Sequence, residues 1–187
     1  MRANPTNAKA NKRPRREPAS GWHDVLADGT AVLIRPIRKK DAPLERAFLR
    51  NLSRQALHDR FVSVVHEPTD AVAQRLANVE TDGNVALIAL VQQDGRDVEV
   101  AAGGYVRTRD GSGCHAAVAV DDAWRKRGIG TLLACHLIDM ARASGIRHAY
   151  VVDPVVHKEH HRLAHRLGFR PRPDPDDPAA IVFELAL

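Results

Sequence analysis

The chain has 187 residues, 44% of them hydrophobic, 27% charged and 4% aromatic, which suits one domain, since a single core stops growing only at roughly 250–300 residues. It is too apolar for a disordered chain and too charged for a fibrous or membrane one; no apolar run nears the ~20 residues of a bilayer span, and Cys114 and Cys135 cannot build a disulfide framework or a four-ligand zinc site. The net charge of +5 resides in residues 1–20, where Arg2, Lys9, Lys12, Arg13, Arg15 and Arg16 face Glu17 alone, so the other residues balance at 22 basic and 22 acidic.

Residues 1–20 therefore read as a disordered basic tail ahead of a domain over 21–187. The tail is either a solvated leader or a weak, screened contact for nucleic acid, anionic lipid or an acidic partner. It lacks the apolar core of a secretory signal, so the expected location is cytoplasmic. Structure signals begin near Trp22. Ala31 to Ile37 reads as a strand, with Pro36 marking an edge or an ending. Asp41 is placed as the N-cap of a helix carrying Leu44, Ala47, Phe48 and Leu52. Two shorter helical pieces follow, near Gln55 to Phe61 and Asp70 to Val79.

Val85 to Val91 and Val98 to Val106 form a hairpin about Gln93–Asp94–Gly95, and Cys114 to Val120 is a third run after Asp110–Gly111–Ser112–Gly113. Ile129 to Arg142 is helical, with Ile129, Leu132, Leu133, Leu137 and Met140 on one face and Gly145 as its stop. His148 to Val152 is a strand, Lys158 to Leu167 a short helix, Arg170 to Pro178 a proline-rich loop, and Ala180 to Leu185 the last strand. No internal repeat is present. The order predicts a mixed α/β domain, its first half largely antiparallel.

The chemistry concentrates in Arg125–Lys126–Arg127–Gly128–Ile129–Gly130–Thr131, between a strand and a helix start. Helix N-termini expose unpaired N–H groups and about half a positive charge, and so attract phosphate. Glycines let the main chain approach the anion closely. A dinucleotide loop would need a third glycine where Leu133 stands, and the Gly-Lys-Ser/Thr ending of a Walker loop is absent. On residues alone, a tight solvated turn is the competing reading.

Arg125-x-x-Gly128-x-Gly130 after Val118–Ala119–Val120 resembles the acyl-CoA loop of the GCN5-related N-acetyltransferase (GNAT) family. The similarity extends to Leu167–Gly168–Phe169 and to Ile34–Arg35–Pro36–Ile37–Arg38 with Asp41, and covers about Ala31 to Leu187. Ile34–Asp41, Leu52–Ser53 and Arg60–Phe61 look like bacterial members related to protein-lysine acetyltransferases. The resemblance implies a mixed, mostly antiparallel sheet, splayed near its centre after the Cys114–Val120 strand and flanked by helices. It implies acetyl-CoA as co-substrate and no metal. Pantetheine would pair with the main chain around Val118 and Val120, and pyrophosphate would sit on the N–H groups from Lys126 to Thr131, with Arg125, Lys126 and Arg127 at hand.

Three positions depart from the family pattern. His115 stands where lysine-acetylating relatives carry a glutamate base, His157 where relatives often carry an asparagine toward the donor, and Ala164 where many place a tyrosine acid. His115 can serve as the base, because imidazole titrates near neutrality; the alternative is that water takes the proton. His157, His160, His161 and His165 read as an exposed polar helix flank, not a metal site, for want of a completing motif. His136 and Asp139 lie on the preceding helix without a motif, and Cys114 and Cys135 are read as buried small hydrophobes. The expected activity is transfer of an acetyl group from acetyl-CoA to a primary amine, a protein lysine or a small molecule, by direct attack. The alternative is a catalytically degenerate acyl-CoA-binding sensor. A second copy of the chain is a further candidate partner.

Overall fold

The computed structural model describes residues 21–53, 83–154, 158–174 and 177–187. The basic tail, the two helical pieces after Leu52 and His157 lie outside the described residues. Eight strands form one sheet: β1 (Trp22–Val25), β2 (Ala31–Pro36), β3 (Val85–Gln93), β4 (Arg96–Arg107), β5 (Gly113–Val120), β6 (His148–Pro154), β7 (Arg170–Pro173) and β8 (Ala180–Ala186). Their spatial order is β1-β2-β3-β4-β5-β6-β8-β7. Every neighbouring pair is antiparallel except β5 with β6. The expected architecture, mixed and mostly antiparallel, is the one observed.

Three helices are described: α1 (Ala42–Asn51), α2 (Ile129–Ala143) and α3 (Lys158–Arg166). They divide the core between the two faces of the sheet. On one face Phe48 and Leu49 of α1 pack against Ile88, Leu90, Ala102 and Ala119. On the other, Ile129, Leu133, Leu137 and Ala141 of α2 pack with Leu87, Tyr105, Cys114 and Ala149. Strand residues alternate between the two groups, as a period of two requires.

Two strands went unread in the sequence. β1 is short and polar, and it is held by tertiary contacts: buried His136 on α2 meets Asp24 through Nε2 at 2.9 Å and stacks on Trp22 with ring centroids 4.4 Å apart. β7 lies inside the proline-rich stretch and contains Pro171 and Pro173. It is an edge strand, where a missing N–H costs no ladder bond. Pro36, by contrast, ends a strand that is internal to the sheet.

Two further expectations change. Cys135 is exposed, because it falls on the solvent side of α2, whereas Cys114 is buried. Asp41 does stand at the α1 N-cap but makes no side-chain capping bond there. Its carboxylate instead accepts from Arg35 Nη1 at 2.6 Å and Nη2 at 2.9 Å, and from the Arg38 N–H at 2.8 Å. Burial pushes this carboxyl upward, but the guanidinium and the two kinds of donor outweigh it and hold the group below the usual carboxylate range.

The pair fastens the end of β2 to the start of α1, with side chains only 7% and 4% exposed. Asp41→Ala should strand a buried guanidinium and destabilise the fold by about 3 kcal/mol in urea unfolding. Because the folded carboxyl is depressed, the contribution is complete above about pH 4 and is lost as the pH falls toward the lowered value. The variant should therefore lack that part of the acid-induced loss of stability.

Candidate active site

The parallel pairing of β5 with β6 has only three rungs: Gly113 with His148, Cys114 with Ala149, and His115 with Tyr150. Beyond them β5 continues to Val120 against β4 alone, and β6 continues to Pro154 against β8 alone. The strands fork, and from Ala116 onward the edge of β5 that faces β6 has no strand partner. The cleft so opened has a volume of about 980 Å³. Its walls include His115, Val118, Val120, Tyr150, Asp153 and Leu163. The splay expected after Cys114–Val120 thus starts within that strand, just past His115.

The loop closes the wide end of the fork. Asp121 caps the short turn Asp122–Trp124 by accepting from the Ala123 N–H at 2.9 Å, and its own N–H bonds to Val100. Gly128 is the N-cap of α2, at φ +95°, which a side chain adopts only under strain. Its carbonyl accepts the first helical bond, from the Leu132 N–H at 3.0 Å. The N–H groups of Ile129, Gly130 and Thr131 have no main-chain acceptor among the described residues, as expected of a first turn. A Cβ on Gly130 would stand 3.3 Å from Val120 Cγ2, so this glycine lets α2 lie close to the end of β5.

Arg125, Lys126, Gly128, Ile129, Gly130 and Thr131 all line the cleft. Arg127 does not. Its guanidinium lies 4.5 Å over the Trp124 ring and 3.5 Å from Asp28 in the β1–β2 turn, a contact that braces the loop from behind. Arg125 is partly occupied by an exposed pair with Asp122 at 2.8 Å.

His115 is exposed at the fork, its ring 5.6 Å from that of Tyr150. Tyr150 was not singled out in the sequence, since only the strand register brings it beside His115. Asp153 is near the histidine tract in the sequence but completes no motif there. It is buried, with His160 Nδ1 at 3.2 Å and His161 Nε2 at 3.3 Å. His161 also donates to the Pro154 carbonyl and packs on Phe183 at 4.9 Å, with His165 edge-on to the same ring. The histidine helix is therefore anchored inward at His161, not a wholly exposed flank. Among the described residues no three side chains are grouped to hold a metal.

Cys114 and Tyr105 line the closed end of the cleft. Burial pushes the Cys114 thiol up to about 11 and raises the Tyr105 phenol as well. The thiol is thus neutral near pH 7 and a poor nucleophile.

A sheet forked beside a glycine-capped helix offers an open strand edge and a helix N-terminus that favours anions. Comparison with known proteins identifies the family. The model of the acetyltransferase (GNAT) family matches residues 49–169. A curated acetyltransferase of Pseudomonas aeruginosa is 36% identical over 166 residues, 89% of each chain. The GNAT domain of S. lividans PAT superposes with a TM-score of 0.79 at 22% identity, covering 92% of this chain and 100% of that one. The structure of yncA from Salmonella typhimurium with its cofactor acetyl-CoA gives 0.64 at 23% identity, covering 83% of this chain and 94% of that one. The chain belongs to the acetyltransferase (GNAT) family. It is an acyl-CoA-dependent N-acetyltransferase, with acetyl-CoA as co-substrate. No helix among the described residues is long and apolar enough to cross a membrane.

Gly128→Ala should strain the N-cap and Gly130→Ala should press Val120 outward, each at roughly 1–3 kcal/mol. Isothermal titration should show acetyl-CoA affinity reduced about tenfold or more in both variants. Wild-type affinity in both would remove the loop from donor binding.

Proposed function

We propose that this chain transfers the acetyl group of acetyl-CoA to a primary amine, protein-borne or small, by direct attack of the amine on the thioester carbonyl. The observation that carries the reading is the fork, which sets an exposed imidazole at the closed end of a cleft whose open end is a glycine-capped helix N-terminus. The pyrophosphate is assigned to the N–H groups between Lys126 and Thr131, with Arg125 and Lys126 beside them. Pantetheine is assigned to the open main-chain edge of β5 at Val118 and Val120. Arg127 braces the loop in this reading, and His157 is carried toward the donor by the family resemblance.

His115 is the assigned base. The amine must lose a proton as its nitrogen bonds to the carbonyl carbon; the carbon–sulfur bond then breaks and the thiolate leaves. Main-chain N–H groups along the open β5 edge favour the charge that develops on the carbonyl oxygen. The rate enhancement comes chiefly from holding donor and amine together. The neutral, buried Cys114 supports direct transfer over an acetyl-cysteine route.

A base acts in its neutral form, so the wild-type rate should fall on the acid side as an imidazole protonates. His115→Ala should lower turnover about 100-fold on the plateau above that limb, abolish the limb, and leave acetyl-CoA affinity within about twofold. An unchanged pH–rate profile removes His115 as base. Tight acetyl-CoA binding without thiol release from any amine would favour the sensor alternative.

A further inference from the structure

A continuous row of side chains crosses the sheet at the level of the fork. The register sets Val106 of β4 opposite His115 of β5, His115 opposite Tyr150 of β6, Tyr150 opposite Glu184 of β8, and Glu184 opposite Arg170 of β7. Directly opposed residues share a face, so all five project to the α1 side. Arg172, opposite Val182, and His148, two residues before Tyr150, share that side. The row is accessible: Val106 is 55% exposed, His115 and Arg170 are exposed, and Tyr150 is half-buried.

The two ends of the row differ in chemistry. Next to the fork lie the apolar Val106 and the Tyr150 ring, which stands beside both His115 and His148. At the far end Glu184 is the carboxylate of the row. It is already shared between His148 Nδ1 at 3.0 Å and Arg172 Nε at 3.5 Å. The Arg172 guanidinium lies 5.9 Å from the Tyr150 ring centre, and Arg170 has no carboxylate partner among the described residues. The far end thus carries two guanidinium groups and one carboxylate, which pairs with Arg172 alone of the two, and so has excess positive charge.

We infer that the acceptor is an ω-amino acid: a primary amine joined by a short carbon chain to a carboxylate. The inference rests on His115 marking where the amine attacks. The amine sits at His115, the carbon chain lies on Tyr150, and the carboxylate is met by Arg170 and Arg172. Adjacent strands lie about 4.8 Å apart, so an arginine reaching back from β7 over β8 brings its head group to roughly two spacings, about 10 Å, from the fork. That separation suits an amine and carboxylate at opposite ends of a chain; in an α-amino acid they sit on one carbon. The same positive end opposes an acceptor with a second ammonium, and by disfavouring charge nearby it helps the attacking amine lose its proton.

Three acceptors of similar length isolate the charge: ε-aminocaproate, its carboxamide and hexamethylenediamine, measured by thiol release at saturating acetyl-CoA. The wild type should show kcat/KM at least about tenfold higher for ε-aminocaproate than for the other two, the size of a charge-assisted contact. The double variant Arg170→Ala/Arg172→Ala should bring ε-aminocaproate down to the carboxamide, mainly through KM, with the carboxamide rate and acetyl-CoA affinity unchanged. Equal rates for the three acceptors, preference for the diamine, or a better rate with α-amino acids would each overturn the inference. If none of the three reacts while a lysine peptide does, the inference falls and the proposed function stands. If no amine of any kind promotes release, both fall.

Discussion

The early end of the β5–β6 pairing is the constraint on which the site depends. Each strand is held on its outer side, β5 by β4 and β6 by β8, along its whole length. The two can diverge without unravelling the sheet because neither relies on the other for its remaining hydrogen bonds. What they leave open is a length of unpaired strand edge inside the molecule, a group of donors and acceptors that needs a partner. An extended amide-bearing donor is a fitting partner for such an edge.

The connection between these strands completes the geometry. Parallel neighbours require a crossover, and here it is α2, which starts where β5 ends. Its first turn, with unpaired N–H groups and the positive end of the helix dipole, therefore stands at the open end of the same fork. The glycine loop and His115 thus stand toward opposite ends of β5, the loop beyond Val120 and His115 near Gly113. Arg127, folded back on Trp124 and Asp28, ties this end to the β1–β2 turn. The pair of buried His136 with half-buried Asp24 ties α2 to β1, so two contacts hold the first hairpin against the helix that carries the loop.

Charge is distributed unevenly about the fork. On the α2 and α3 side, the buried Asp153 holds two histidines of α3 against the wall of the cleft. On the α1 side, Glu184 is outnumbered by the arginines of β7. The cleft is accordingly walled by a carboxylate paired with histidines, while the opposite face at the fork is open and cationic. This asymmetry separates the faces by chemistry as well as by position.

The amino-acid sequence by itself determined the periodic elements, the hairpin at Asp94–Gly95, the glycine loop at a strand–helix junction, and through its resemblance the family. These are local signals: hydrophobic period, turn residues and capping glycines act over a few neighbouring positions. It did not disclose β1 or β7, whose polar or proline-rich residues become strands only because a neighbouring strand or helix holds them. Nor did it disclose the inward turn of His161, the exposure of Cys135, or the bond of Asp41 to Arg35 in place of a helix cap. Tyr150, Glu184 and Arg170 are separated in the chain by elements of other kinds, and none carries a motif. Strand register alone aligns them with His115, and register is a property of the assembled sheet, set by which face each strand buries.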